Sequence, residues 1–298
     1  MGCACSGPDA ASLGVSVGAQ SLELLAGGDF HSQYALLEKL GNGSFGSVYS
    51  SVKVAGDRAT AATKVVDVRD EVSRVLGVWD SGCKTEASRF AAFQTEVRAL
   101  RKLANHRNIC QIRAKVLQGG LAYLVLELCD RPLPKALERL PALSESTLLP
   151  YFRGMLQGIS FAHSQGVVHR DIKEDNVMLL DEEGDNLTVI DPGLAIAGCT
   201  EKHGGACEYE LGAGTPTHMA RSQTIAAQGY SFEVDWWAFG AMLHFLRYGY
   251  RAFTDEQING TEDIHWIPYE DDASEDQELV RLLNLTIGAD FHVLETPE

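Results

Sequence analysis

Short apolar runs separated by glycine-rich turns dominate the first part of the chain after Phe30. The run YALLEKL is followed by GNGSFGSVYSSVKVAG and then by ATAATKVVDV. Their β-branched content and the glycines between them predict three strands. The segment LAYLVLELC is a continuous apolar run, which predicts a further buried strand.

Helical periodicity marks three other segments. In FAAFQTEVRALRKLA the apolar residues lie at the spacing of one helix face, at Phe93, Val97, Leu100 and Leu103. LLPYFRGMLQGISFAHSQG predicts a long helix that ends at Gly166, and VDWWAFGAMLHFLRYG predicts another buried helix. Strands with one helix come first and helices follow, which predicts two lobes joined near residues 129–134.

This order predicts an α+β fold in three parts. Residues 1–29 form a tail, 30–128 a small β-rich lobe with one helix, and 129–298 a larger, mainly helical lobe that is short at its C-terminal end. Residues 69–90 are predicted to form an inserted solvent loop. The 298 residues are 45% hydrophobic, which suffices for a core of this size.

Charge and cysteine content limit which kinds of function and which cellular compartment fit this chain. The net charge of −16 argues against general nucleic-acid binding. It favours basic protein substrates, or is a solvated acidic face without a role, and composition leaves both open. Seven scattered cysteines without a secretory signal indicate reduced thiols in the cytoplasm. Cys199, His203 and Cys207 offer three metal ligands without a fourth, so a glycine-rich loop is the alternative to a zinc site.

The first six residues, MGCACS, fit an acylation signal. Gly2 followed by Ser6 matches the N-myristoylation pattern. One acyl chain holds a membrane weakly, and Cys3 and Cys5 supply a second signal as palmitoylation sites. Chance is the alternative. Residues 7–28 are small and Gly-rich, which predicts a flexible tether to the cytosolic face of a membrane, although no run spans a bilayer.

Three glycines follow the first strand as G-x-G-x-x-G, at Gly41, Gly43 and Gly46. A dinucleotide-binding loop opens a helix, whose N-terminus binds the pyrophosphate. Here the glycines lie between two predicted strands, which favours a hairpin that lays backbone N–H groups over phosphates. Val48 comes two residues after the last glycine, a position from which an apolar side chain can cover a nucleotide base.

Charged residues occur where burial is predicted. Lys64 lies within an apolar strand, and such a charge is costly unless it is paired. Glu96 on the next helix is a suitable partner, and a lysine that extends to solvent at a strand edge is the alternative. VVHRDIKEDNVMLL, residues 167–180, concentrates charges between two apolar runs, so these charges are paired or used in function.

Taken in order, these motifs resemble the eukaryotic protein kinase family over roughly residues 34–250. The resemblance is carried by the glycine motif, A-x-K at 62–64, Glu96, HRDIKEDN at 169–176, DPG at 191–193, GTP at 214–216 and DWWAFG at 235–240. It implies a bilobal fold and ATP-dependent phosphorylation of proteins.

The resemblance implies an ATP site between the lobes. The glycine loop covers ATP, Lys64 holds its phosphates, Leu126 lies behind the adenine, and the backbone near Glu127 and Cys129 meets the base. The implied ATP-binding residues are Gly41, Gly43, Gly46, Val48, Ala62, Lys64, Glu96, Glu127, Cys129 and Met178.

The resemblance also assigns the residues of phosphoryl transfer. Asp171 accepts the proton of the substrate hydroxyl, and Lys173 steadies the γ-phosphate. Asn176 and Asp191 supply oxygen ligands for Mg²⁺. Lys173 and the Thr215-Pro216 pair resemble the serine/threonine branch.

Arg170 resembles kinases whose activation segment is ordered by phosphorylation. Candidate acceptors are Thr200, Tyr209, Thr215 and Thr217, and the sequence does not choose between them.

Two departures from the family pattern bear on activity. Pro192 replaces the aromatic residue of the D-F-G motif, and proline fixes φ and lacks an N–H. Arg221 and Ser222 stand where the family has Pro-Glu. These departures leave open a binding scaffold or pseudokinase that uses the fold without catalysis.

Overall fold

The computed structural model describes residues 29–43, 46–69, 89–140, 144–181, 187–197, 213–224, 230–258 and 286. Several residues singled out from the sequence lie outside this part of the chain: Gly2, Cys3, Cys5, Cys199, Thr200, His203, Cys207 and Tyr209. Most of the predicted insertion, residues 70–88, also lies outside it.

A five-stranded antiparallel sheet forms the small lobe. The lobe comprises helix α1 (Phe30–Gln33), β1 (Tyr34–Gly43), β2 (Gly46–Lys53), β3 (Thr60–Asp67), helix α2 (Arg89–Lys102), β4 (Ile112–Gln118) and β5 (Leu121–Leu126). The strand order is β1-β2-β3-β5-β4. The predictions of β1, β2, β3, β5 and α2 are confirmed, whereas β4 was not predicted.

The alternation of side chains along the strands gives the sheet two buried faces. One face packs on α2, with Val66 and Leu124 in the same apolar cluster as Phe93. The other face is covered by Phe30, whose ring stacks on Tyr123 with a centroid distance of 4.0 Å.

Asp29, assigned to the tail from the sequence, contacts the first helix of the small lobe. The side chain of Asp29 caps helix α1 by accepting a hydrogen bond from the His31 N–H. Asp29 was assigned to the tail because nothing in the sequence distinguished it from the residues before it.

The large lobe is mainly helical. It contains β6 (Arg131–Pro132), α3 (Leu133–Leu137), α4 (Glu145–Ser164), β7 (Val167–Val168), β8 (Val177–Leu179), β9 (Leu187–Val189), β10 (Ile196–Ala197), α5 (Arg221–Thr224), α6 (Glu233–Tyr248) and α7 (Asp255–Ile258). The two long helices were predicted. Gly166 and Gly249 follow their ends with φ of +64° and +77°, the left-handed region that favours glycine.

Helices α4 and α6 form the core of the large lobe, where Phe152 meets Phe239 edge to face. Strands β6, β8 and β9 form a small sheet beside them. The predicted α+β bilobal class is confirmed. Among the described residues, no helix combines the length and apolar character that crossing a bilayer requires.

Candidate active site

One lysine of the small lobe pairs with one carboxylate from each lobe. Lys64 on β3 places Nζ 2.8 Å from Glu96 Oε2 on α2 and 2.7 Å from Asp191 Oδ1, which follows β9. Its side chain is 3% exposed, so the lysine does not extend to solvent. Residues distant in sequence therefore converge where the lobes meet.

The charges in this cluster are unbalanced. Burial alone would lower the pKa of Lys64, but the carboxylates of Glu96 and Asp191 outweigh burial and raise it. Burial raises the pKa of Glu96 to about 7, an effect that Lys64 opposes and the charge of Asp191 reinforces. One cation is thus shared by two carboxylates, and a further cation near Asp191 would be stabilised.

The upper wall of the cleft follows from strand register. Val48 lies opposite Lys64, and Ala62 lies opposite Leu126, on neighbouring strands. Because side chains alternate along a strand, Ala62 and Lys64 share one face. A side chain at Gly46 would place its Cβ 2.3 Å from the Val65 carbonyl oxygen, so only glycine fits there.

The glycine loop and the lower wall complete the cleft. A Cβ at Gly41 would have no neighbour within 4 Å, so the space there is open. Gly43 ends β1, opposite Gly46. Met178 lies on β8, partly exposed between the buried Val177 and Leu179.

Two backbone positions connect the lobes at the back of the cleft. The Glu127 N–H donates to the Gln111 carbonyl, and the Glu127 carboxylate accepts from the Gln111 N–H at 2.8 Å. Within the described part of the chain, the main-chain groups of Cys129 have no hydrogen-bond partner, so they are available to a ligand. Burial raises the pKa of the Cys129 thiol to about 12, which excludes a thiolate at neutral pH.

A second polar cluster surrounds Asp171, in the loop after β7. Asp171 Oδ1 accepts from the Thr215 hydroxyl at 2.6 Å, and Oδ2 accepts from Asn176 Nδ2 at 2.9 Å. Lys173 Nζ lies 2.9 Å from Asp171 Oδ2 and donates to the Thr215 oxygen at 2.8 Å. Burial would raise the pKa of Asp171, but Thr215 and Lys173 lower it overall, so the carboxylate stays ionised.

The amide of Asn176 is oriented by Asp171. Its Nδ2 donates to the main-chain oxygen of Asp171 at 2.8 Å and to the side chain. Among the described residues, the other atom of the amide, Asn176 Oδ1, has no protein partner. Together with the Asp191 carboxylate it forms an oxygen pair of the kind that Mg²⁺ prefers. No group of three or more His, Cys, Asp or Glu in the described residues forms a complete metal site, so phosphate oxygens would supply the other ligands.

Asp235 on α6 fixes the loop that carries Asp171. Its carboxylate accepts from the His169 and Arg170 N–H groups, both at 2.7 Å, and from His163 Nε2 at 2.8 Å. Burial would raise the pKa of Asp235, but these bonds lower it overall. Asp235 is the first residue of the DWWAFG motif, but no role for it was predicted from the sequence.

His169 connects the same loop to β9. Its Nε2 donates to the Ile190 carbonyl at 3.1 Å, because a carbonyl only accepts. Its Nδ1 then accepts from the Asp171 N–H at 3.3 Å.

Arg170 is hydrogen-bonded to neutral groups of the large lobe. It has φ of +67°, and its guanidinium donates to the Leu194 carbonyl and to the Tyr230 hydroxyl at 2.6 and 2.9 Å. Neutral groups thus occupy part of its donor set. A Cβ at Gly214 would lie 2.6 Å from the Arg170 carbonyl oxygen, so this approach requires glycine.

The segment after Thr215 is held by contacts that the sequence did not suggest. His218 Nε2 lies 3.0 Å from Glu174 Oε2, and His218 Nδ1 lies 2.9 Å from the Thr217 hydroxyl oxygen. The Gln223 side chain accepts from the Ala220 N–H and donates to the Ala213 carbonyl. No motif signals these pairs, since each depends on the fold.

Of the two departures from the family pattern, Pro192 is buried and Ser222 is partly buried. Asp191 has φ of +54°, and Pro192 begins a short 3₁₀ helix, Pro192–Leu194. Pro192 lines a cavity of about 10 Å³ with Leu100, Leu103 and other residues. Ser222 Oγ is buried without a hydrogen-bond partner in the described part of the chain.

The chain matches a described family and several characterised relatives. The protein kinase domain family model matches residues 34–284. CBL-interacting serine/threonine-protein kinase 7 of Arabidopsis thaliana is 32% identical over 229 residues, which cover 76% of this chain and 48% of that protein. CBL-interacting protein kinase 20 of Oryza sativa subsp. japonica is 29% identical over 76% of this chain and 47% of that protein.

A relative outside plants is also similar. Maternal embryonic leucine zipper kinase of Xenopus tropicalis is 28% identical over 76% of this chain and 31% of that protein. The chain therefore spans half or less of the length of these relatives.

Proposed function

The chain belongs to the serine/threonine branch of the eukaryotic protein kinase family, and on this premise we propose that it transfers the terminal phosphoryl group of ATP to Ser or Thr hydroxyls of proteins. The supporting observation is the arrangement of two polar clusters along one cleft. Lys64, Glu96 and Asp191 form the first. Asp171, Lys173, Asn176 and Thr215 form the second.

Phosphoryl transfer needs alignment and cations more than covalent chemistry. In this proposal Lys64 contacts the nucleotide phosphates while Glu96 holds its ammonium group in place. Asp171 orients the attacking hydroxyl and accepts its proton, and its low pKa suits orientation better than strong base catalysis. Lys173 faces the transferred group.

Asn176 and Asp191 are the residues that would hold Mg²⁺, which neutralises phosphate charge when bound.

The acceptor candidates in the activation segment separate into two groups. The Thr215 hydroxyl is bonded to both Asp171 and Lys173. We therefore assign Thr215 to positioning and remove it from the acceptors. Thr217 is partly exposed and remains a candidate, together with Thr200 and Tyr209.

Tethering to the cytosolic face of a membrane is the second part of the proposal. It rests on Gly2, Cys3 and Cys5 as acylation sites and on Ser6 as part of the myristoylation pattern. Gly2→Ala should move the full-length protein from the membrane fraction to the soluble fraction of expressing cells. An unchanged distribution would refute the tether and would leave the catalytic proposal intact.

A binding scaffold without catalysis is the second candidate. Pro192 in place of an aromatic residue and the buried, unbonded hydroxyl of Ser222 favour it, because both alter segments that the family uses for activation.

A peptide library separates the two candidates. Purified full-length protein is incubated with labelled ATP, Mg²⁺ and peptides that carry Ser, Thr or Tyr, beside the Asp171→Asn variant. We expect the parent to label Ser and Thr peptides and the variant to do so at least about 100-fold more slowly. Equal labelling by both proteins would exclude the kinase proposal, and stabilisation of both by ATP would then favour the scaffold.

A further inference from the structure

The charge of the chain is divided unevenly between its lobes. Residues 30–128 carry 14 Lys and Arg against 9 Asp and Glu, a net charge of +5. Residues 129–298 carry 11 against 29, a net charge of −18. A strongly acidic protein thus has one cationic lobe. Such an asymmetry orients a molecule next to a charged surface.

The outer face of helix α2 is uniformly basic. Arg98, Arg101 and Lys102 are exposed, and residues three and four apart lie on the same side of a helix. The one acidic residue of α2, Glu96, points inward and is 1% exposed. Lys115 on β4 lies opposite Leu124, which packs with Phe93 of α2, so it is on the helix side of the sheet. Burial and the charge of Arg101 lower the pKa of Lys115. We call these four cations the basic ridge.

Among the described residues, no carboxylate pairs with the basic ridge. Arg98 donates to the Gln94 carbonyl at 3.3 Å. Arg101 and Lys102 form no ion pair with another described side chain. Like charges at this spacing destabilise a helix. The helix dipole favours cations in the last turn, which accounts for Arg101 and Lys102. It does not account for Arg98, one turn earlier, or for Lys115 on a strand.

We propose that the basic ridge docks on an anionic lipid bilayer and sets how the protein lies on the membrane. This inference extends the proposed N-terminal tether. A Gly-rich linker of 22 residues, 7–28, has a root-mean-square end-to-end distance of about 25 Å, so the tether alone does not fix an orientation. The ridge is attracted to anionic headgroups, while the large lobe is repelled and faces the cytosol.

A bilayer fits the ridge better than an acidic protein does. The cations lie on the exposed side of a helix, next to a strand at the edge of the sheet. Each cation near an anionic membrane surface contributes independently of a specific contact geometry. The tether would also keep the ridge within reach of the same membrane.

Vesicle binding by unacylated protein tests the ridge separately from the tether and from catalysis. Full-length Gly2→Ala protein is sedimented with vesicles of phosphatidylcholine alone or with about 30 mol% phosphatidylserine, at about 0.1 M salt. The ridge variant combines Arg98→Gln, Arg101→Gln and Lys102→Gln. The control variant combines Lys39→Gln, Lys53→Gln and Arg58→Gln, which removes three exposed cations from the other end of the sheet. Both variants have the same net charge.

We expect the parent and the control variant to prefer the anionic vesicles, and the ridge variant to bind them roughly ten- to a hundredfold more weakly. Phosphorylation of a soluble peptide should be the same in all three proteins. The proposal is overturned if the parent shows no preference for anionic vesicles, or if both variants lose binding equally. Binding of poly-glutamate without binding to vesicles would assign the ridge to an acidic protein and would also contradict the proposal.

Discussion

Two carboxylates are equally buried in this protein, yet their pKa values shift in opposite directions. Glu96 on α2 is 1% exposed and Asp235 on α6 is 0% exposed. Among the described residues Glu96 has one hydrogen-bond partner, Lys64, and burial raises its pKa to about 7. Asp235 accepts three N–H bonds, and its pKa is lowered despite burial. The donors around a buried acid, and not burial alone, decide its charge.

The identity of the donors explains the difference. Two donors to Asp235 are main-chain N–H groups of His169 and Arg170, which cannot leave without unfolding the loop. The partner of Glu96 is a lysine on a flexible stem that also binds Asp191. Asp235 is therefore part of the scaffold that fixes the loop, whereas Glu96 belongs to a network that a bound nucleotide can rearrange.

Replacing the shared lysine should have the largest effect. Lys64→Met removes the one hydrogen-bond partner that Glu96 has among the described residues, and we expect peptide phosphorylation to fall at least about a thousandfold. The free energy of unfolding should change by less than about 2 kcal/mol, because a carboxyl with a raised pKa takes up a proton. Transfer assays and urea unfolding measure both quantities. Lys135→Met, in an exposed pair with Glu138, is the control, and near-parental activity of Lys64→Met contradicts the assignment.

Asp235→Asn should mainly reduce stability. An amide presents one acceptor oxygen where three N–H groups now converge, so we expect a loss of about 3 kcal/mol in the free energy of unfolding. Urea unfolding provides the measurement. Asp255→Asn, in an exposed pair with Arg251, should cost less than about 0.5 kcal/mol. Equal, small losses in the two variants would mean that the Asp235 bonds do not support the fold.

Asp171 is intermediate between Glu96 and Asp235, because it has several hydrogen-bond partners but most of them are side chains. Thr215→Val removes the hydroxyl that bonds Asp171 and Lys173, and we expect kcat to fall about 10- to 100-fold through misalignment. Thr215→Ser keeps the hydroxyl and should stay within about threefold of the parent, provided that the role is positioning. The assay is peptide phosphorylation at saturating ATP, and a serine variant as slow as the valine variant would exclude that role.

The contributions of Glu96 and Asp235 to the stability of the fold should depend on pH with opposite signs. The pKa of Glu96 is raised from 4.5 to about 7, so its contribution to stability is complete below pH 4.5 and is lost as the pH rises towards 7. The pKa of Asp235 is lowered from 3.8, so its contribution is present above that pH and is lost as the pH falls through the folded-state pKa.

Unfolding of the parent, Glu96→Gln and Asp235→Asn across this pH range checks the signs. The difference between the parent and Glu96→Gln should shrink on raising the pH, by on the order of 1 to 2 kcal/mol. The difference between the parent and Asp235→Asn should shrink on lowering it. Differences that run in parallel would show that the two sites ionise alike.

The residues that line the cleft were predicted from the sequence better than the contacts that hold those residues in place. Residue type and position singled out Lys64, Glu96 and Asp171, because a charge next to or within an apolar segment is a strong local signal, and the resemblance to protein kinases added Asp191. The main strands and long helices followed from periodicity. Strand β4, IRAKVLQ, was missed although apolar and basic residues alternate over residues 112–116, a pattern that fits a half-buried strand.

The support could not be predicted because it is formed by contacts distant in sequence. Asp235 bonds to residues 65 to 72 positions away, and the neutral partners of Arg170 lie 24 and 60 positions away. Phe30 gave no local signal that it would cover the outer face of the sheet. Such pairs depend on topology, which one sequence does not specify.

The central claim is that Glu96 belongs to the transfer machinery and not to the scaffold. The most direct test is kcat per folded molecule for Glu96→Gln at neutral pH with saturating Mg²⁺ and ATP. The account predicts a decrease of at least about tenfold, while the free energy of unfolding stays within about 1 kcal/mol of the parent. Parental kcat in the folded variant would contradict it.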